Sequence, residues 1–135
     1  MIRILVLCTG NSCRSQMAEV YLRHPAVDVK SAGIEAHGMN PLTLLVLEED
    51  GEDTSNLASQ TIAEYEGQTF DYVFTVCDHA REHCPYFPAQ KGIKHHSFPD
   101  PARVTGSDEE KLIAFRAVRD EIKAYCRAWL TELTA

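Results

Sequence analysis

Residues 8 to 15 read Cys-Thr-Gly-Asn-Ser-Cys-Arg-Ser, a thiol followed six positions later by a guanidinium. Between a strand and a helix, such a segment can wrap an oxyanion in the backbone N–H groups of Thr9, Gly10, Asn11, Ser12, Cys13 and Arg14. Arg14 adds paired donors that match two oxygens of a tetrahedral anion. Cys8 then lies beneath the anion as a nucleophile, and the N–H groups and helix dipole are expected to lower its pKa toward the thiolate. Ser15 can donate a hydrogen bond to that thiolate. Gly10 and Asn11 are residue types that tolerate left-handed backbone, which a tight loop needs. Cys13 faces the helix start and is expected to pack beside the loop.

A second group of reactive side chains lies between Cys77 and Cys84, with His79, Arg81 and His83 among them. On residue types alone three fates stay open. The two thiols can exchange with a disulfide, helped by nearby cationic groups that favour thiolates. Cys77, His79, His83 and Cys84 can be read as zinc ligands, although their spacing matches no common zinc pattern. They can also be inert loop cysteines. Asp100, followed by Pro101, is either a turn aspartate or a carboxylic acid set to protonate a departing oxygen.

These groups need a scaffold. Ile2 to Leu7 is nearly all aliphatic and predicts a strand buried on both faces. Gln16 to Arg23 carries Met17, Ala18, Tyr21 and Leu22 at helical spacing. Val27 to Ser31 predicts a short strand closed by Gly33, and Asn40-Pro41 a helix start running to about Gly51. A shorter helix is expected over Ser59 to Glu66. Phe70 to Val76 is aromatic and β-branched, a third strand. Cys77 to Pro88 shows no clear period and is expected to be a loop. Ile93 to Phe98 is expected to be the fourth strand, followed by a loop at Pro99-Asp100-Pro101. Ser107 with Glu110 forms a capping box opening a long helix. Its apolar stripe is Leu112, Phe115, Val118, Ile122, Tyr125, Cys126, Trp129 and Leu133, which makes Cys126 a core residue. The alternation implies an α/β fold, a four-stranded parallel sheet with helices on both faces. Ligands in such folds sit at the carboxyl ends of the strands, where Cys8, Cys77 and Asp100 all fall.

Composition narrows the function. The 135 residues suit one domain over 1–135, and the size suits a monomer. Thirteen basic against twenty acidic residues give a net charge of −7, which disfavours a nucleic-acid binder. The longest apolar run, Ile4 to Cys8, is too short to span a membrane, and no signal-peptide pattern is seen. A reducing cytoplasm is therefore expected. There, an odd count of five cysteines argues for reactive, ligating or buried thiols rather than a disulfide framework.

Cys8 to Glu19, Cys-Thr-Gly-Asn-Ser-Cys-Arg-Ser-Gln-Met-Ala-Glu, resembles the signature of the thioredoxin-coupled arsenate reductases, which share the low-molecular-weight tyrosine phosphatase fold. The likeness continues through Ser31-Ala-Gly-Ile-Glu35, His37-Gly38, Asn40-Pro41, Asp53-Thr-Ser-Asn56, Cys77 to Pro85, Asp100-Pro101 and Val118-Arg-Asp-Glu-Ile122. It implies that arsenate, or phosphate and sulfate as analogues, binds the loop of residues 9 to 15. It also implies that Cys8 attacks arsenic, Asp100 acts as acid, and disulfides form between Cys8 and Cys77 and then Cys77 and Cys84. Thioredoxin is the implied electron donor, and no cofactor is expected. Some members bind potassium near the loop; Asn11, Glu19 and Ser31 match that site, but Gln60 stands where an aspartate is expected. A hard cation prefers anionic oxygen, so weak potassium binding is expected. Two other functions compete: a tyrosine phosphatase on the same fold, and a non-enzymatic thiol binder of metal or arsenite. Ala102-Arg103-Val104 lacks the tyrosines that similar phosphatases carry after the acid. The binder leaves the anion loop unexplained.

Overall fold

The computed structural model describes residues 1–83 and 87–135. Among these, β1 (Ile2–Cys8), β2 (Val27–Gly33), β3 (Phe70–Thr75) and β4 (Ala89–His95) form one sheet in the order β2-β1-β3-β4. Every neighbouring pair is parallel. The helices are α1 (Arg14–Tyr21), α2 (Pro41–Glu49), α3 (Asp78–His83) and α4 (Asp108–Leu133). In β1, Ile4, Leu5, Val6 and Leu7 are all at most 1% exposed, so both faces of the central strand are covered. This is the outcome its unbroken aliphatic run predicts. Each such side chain contributes roughly 1.5–3 kcal/mol of hydrophobic stabilisation.

The helix starts follow local chemistry. Asn40 caps α2 by accepting from the Leu42 N–H, and Pro41 takes the first helical position. Ser107 and Glu110 form the expected capping box on α4. α4 lies on β3 through its aromatic stripe: Trp129 meets Tyr72 and Phe74 edge-on at 5.4 and 5.3 Å, and Tyr125 stacks on Phe74 at 5.6 Å. Asp50 joins three helical elements by accepting from the Tyr21 hydroxyl at 2.7 Å and from Lys123 at 2.9 Å.

Three elements depart from the sequence reading. Residues 59 to 66 hold only a 3-10 turn, Ile62–Tyr65. The expected loop after β3 instead begins with α3, whose six residues are too few to show a helical period. β4 starts about four residues earlier than expected, in Ala-Gln-Lys-Gly-Ile-Lys-His. It is an edge strand, exposed along much of its length, so it needs no apolar run. Residues 96 to 98 still bond along β3: the His96 and Phe98 N–H groups donate to the Thr75 and Val76 carbonyls. That pairing explains why the stretch has strand-like composition. With all strands parallel, the carboxyl ends of β1, β3 and β4 share one rim.

Candidate active site

The rim opens into a pocket of about 540 Å³ lined by Cys8, Cys13, Arg14, Cys77 and Asp100 among others. The sequence spread these groups over ninety residues; β1, β3 and the segment after β4 bring them together. Cys84 lies outside the described residues. Cys8, Cys13, Cys77 and Cys126 are free thiols, and all four are buried.

The loop after β1 is shaped from outside. The Cys8, Thr9 and Gly10 carbonyls accept from the N–H groups of Ile34, Glu35 and His37. The Asn11 carbonyl accepts from the Gln16 side chain, and those of Ser12 and Cys13 from the N–H groups of Asn40 and Met17. A planar trans peptide that turns its C=O outward turns its N–H the other way. The loop therefore presents N–H groups to its own centre, as an oxyanion cradle requires. Nothing in residues 8 to 15 announces these partners. They come from backbone after β2, from the Met17 N–H in α1 and from Gln16, whose side chain also donates to the Ala58 carbonyl.

Within residues 8 to 15, left-handed backbone falls on Asn11, at φ 49°, and not on Gly10. Gly10 is small for another reason. A Cβ there would meet the His37 ring at 2.2 Å. His37 lies against it and contacts Glu35 Oε2 through Nε2 at 2.6 Å. Gly33 is more tightly confined: its Cβ would meet the Glu35 carbonyl at 2.2 Å and Asn11 N and Thr9 O at 2.8 Å. All three are backbone atoms, which cannot swing aside. Gly33→Ala is expected to cost roughly 1–3 kcal/mol in stability and to weaken phosphate binding. Denaturant unfolding and phosphate titration check this; wild-type values in both would refute the contact as a constraint.

Cys8 Sγ is 2.8 Å from Ser15 Oγ and accepts from the Asn11 N–H at 3.2 Å. The direction of these bonds can be traced. Ser31 donates its hydroxyl to Glu19 at 2.9 Å. The Asn11 side-chain N–H₂ donates both to Ser31 Oγ and to Ser15 Oγ, at 3.0 and 2.7 Å. Ser15 Oγ is thus occupied as an acceptor, and its own proton is left to face Cys8. Burial nevertheless dominates. It pushes the Cys8 thiol pKa up, against the lowering by Ser15 and Asn11. The bonds from Ser15 and Asn11 act in the expected direction, but the cost of burying charge depends on tertiary packing that the local motif does not show. Burial likewise raises Cys13, which sits at the N-cap position of α1 beside the loop, and Cys126, pushed up to about 12 inside the core.

Arg14 is aimed by its own contacts. Its Nη1 donates to the Phe98 carbonyl at 3.1 Å, and Nη2 is 3.6 Å from Asp100 Oδ2. Asp100 also accepts from the Ala102 N–H, capping a 3-10 turn at Pro101–Arg103. Asp100 is thus a turn aspartate that also lines the pocket beside Arg14. Cys77 is 3% exposed and meets Thr9 Oγ1 at 3.5 Å, while the Ala80 N–H donates to its sulfur at 3.4 Å. Cys77 is near enough to Cys8 to disfavour ionisation of the Cys8 thiol.

The residues that match a potassium site are engaged with one another. Asn11 Oδ1 accepts from the Gln60 N–H at 2.8 Å, Gln60 Oε1 from the Tyr65 hydroxyl, and Glu19 from Ser31. Burial also pushes the Glu19 pKa up. These oxygens do not fit a cation, and no chemistry here is routed through one. Among the described residues, no three His, Cys, Asp or Glu side chains are grouped to hold a metal ion. Nor is any helix among them long and apolar enough to cross a membrane.

Residues 3–135 match the family model described as low molecular weight phosphotyrosine protein phosphatase. An arsenate reductase of Halalkalibacterium halodurans is 50% identical over 122 residues, covering 88% of each chain. Two solved structures, an arsenate reductase in the phosphate binding state and one in the oxidized state, superpose with TM-scores of 0.76 and 0.82. Each is 26% identical to this chain, and each comparison covers 98% of both chains.

Proposed function

This chain belongs to the low molecular weight phosphotyrosine protein phosphatase family, and we propose that within it the chain reduces arsenate to arsenite through Cys8, Cys77 and Cys84. One observation carries the reading: two buried free thiols, Cys8 and Cys77, line a single pocket with Arg14 and Asp100. Ester hydrolysis needs one such thiol. A redox reaction that ends in a disulfide needs two. The arsenate reductase at 50% identity supports the same choice.

Arsenate enters the cradle of N–H groups from Thr9 to Ser15, and the Arg14 guanidinium binds two of its oxygens. The Cys8 thiolate attacks arsenic while an As–OH bond breaks, and Asp100 gives its proton to the departing oxygen, which leaves as water. Cys77 then attacks the sulfur of Cys8. The S–As bond breaks and its electron pair stays on arsenic, which leaves as arsenite, while the two thiols become a disulfide. Cys84 attacks Cys77 and moves the disulfide to Cys77–Cys84, freeing Cys8. Thioredoxin reduces that bond and is itself reduced by thioredoxin reductase.

NADPH oxidation with arsenate, thioredoxin and thioredoxin reductase tests this reading beside hydrolysis of p-nitrophenyl phosphate. Arsenate-dependent oxidation is expected. Ester hydrolysis that dominates and persists in Cys77→Ser would overturn the reductase in favour of a phosphatase.

A further inference from the structure

His95 ends β4 in a polar stretch to which composition assigns no role, yet both of its ring nitrogens are engaged. Nδ1 is 2.7 Å from Thr75 Oγ1, and Nε2 is 3.0 Å from Asp78 Oδ1. Thr75 and His95 are register partners at the ends of β3 and β4, and Thr75 is buried. Asp78 is the first residue of α3 and directly follows Cys77. The imidazole thus ties the rigid end of the sheet to the peptide that carries Cys77.

We propose that the Thr75–His95–Asp78 clamp positions Cys77 for its attack on the sulfur of Cys8. The proposal rests on the reductase reading, since only there does Cys77 act as a nucleophile. Three features support it. The clamp survives either charge state of His95: a neutral ring donates to Asp78 and accepts from the Thr75 hydroxyl, and a protonated ring donates to both. The Asp78 side chain is 68% exposed, so its bond to His95 adds little to stability. Its effect is to fix the first turn of α3, where the Ala80 N–H already meets Cys77 Sγ. The attack needs Cys77 in line with the breaking S–As bond, and a misplacement of about 1 Å can cost up to about 100-fold in rate. His95 is therefore a positioning residue that touches no reacting atom.

The test uses Cys84→Ser as parent, which stops the reaction after one arsenite per enzyme. Two rates are followed after mixing with arsenate: protection of Cys8 from alkylation, which reports the arsenic adduct, and arsenite release, which reports attack by Cys77. In the parent with His95→Ala, adduct formation is expected to stay within about twofold and release to slow by roughly 10- to 100-fold. Asp78→Ala, at an exposed position that leaves folding intact, is expected to reproduce that split. His95→Gln keeps an N–H that can reach Asp78 and is expected to recover part of the rate. Release at the parent rate in both alanine variants overturns the clamp, as does equal slowing of both steps. A parent that releases no arsenite overturns the relay itself, and the clamp with it.

Discussion

Cys8→Ser is expected to remove arsenate-dependent NADPH oxidation by at least about 10⁴-fold, the scale on which loss of a single nucleophile acts. The same variant is expected to bind phosphate within a few-fold of wild type. The two outcomes separate because nucleophile and cradle are built from different atoms. The loop carbonyls are held by Ile34, Glu35, His37, Gln16, Asn40 and Met17, and none of these bonds involves the Cys8 side chain. Serine keeps an atom that can accept from Asn11 and meet Ser15, so the network from Glu19 is left in place. What it loses is sulfur, which alone can form the bond to arsenic and then surrender it to a second thiol. Phosphate titration and the coupled assay, run on one preparation, check both halves. Turnover that survives the substitution would remove Cys8 from the mechanism. Lost phosphate binding would show that the sulfur also shapes the cradle.

The division between legible and illegible features follows the range of the forces involved. A strand of consecutive aliphatics, then Cys, Gly-Asn, Arg and Ser, then a helix, is a local pattern: β1 ends at Cys8, Asn11 takes the left-handed backbone and α1 begins at Arg14. The caps at Asn40 and Ser107 are local in the same way. Four of the bonds that turn the loop carbonyls outward come from backbone of Ile34, Glu35, His37 and Asn40, and backbone donors carry no residue-type signature. Gly33 was legible as a strand end, but its contact with Asn11 and Thr9 needs the parallel pairing of β1 and β2. The direction of the Cys8 shift went unread because burial is a property of the packed molecule. β4 and α3 were misplaced for related reasons: an edge strand tolerates Gln, Lys and Gly, and six residues make no period. His95 lies in no local motif that would mark it, in Lys-Gly-Ile-Lys-His-His. Only the register of β4 against β3 places its ring between Thr75 and Asp78.

Cys77→Ser and Cys84→Ser are both expected to abolish steady turnover with thioredoxin, and to differ in a single turnover. With arsenate in excess, Cys84→Ser is expected to release close to one arsenite per enzyme and Cys77→Ser none. The reason lies in the position of Cys77. Cys77 is buried against Thr9 and lines the same cavity as Cys8, so it can complete the first exchange unaided. Cys84 follows α3 in sequence, and that helix sets a condition on the second exchange. Seven residues of continuous helix would rise about 10.5 Å, whereas a disulfide tolerates a Cα separation of about 7 Å at most. Formation of the Cys77–Cys84 bond is therefore expected to shorten or unwind α3, Asp78–His83. Wild-type enzyme oxidised with one equivalent of arsenate is therefore expected to lose protection at the Ala80 and Arg81 amides in hydrogen exchange, whereas Cys84→Ser treated in the same way is expected to keep it. Steady turnover in Cys84→Ser would mean that thioredoxin reduces the Cys8–Cys77 bond directly. Unchanged protection in oxidised wild type would mean that the disulfide never reaches Cys84. Either result would remove the second exchange from the mechanism while leaving the attack of Cys77 intact.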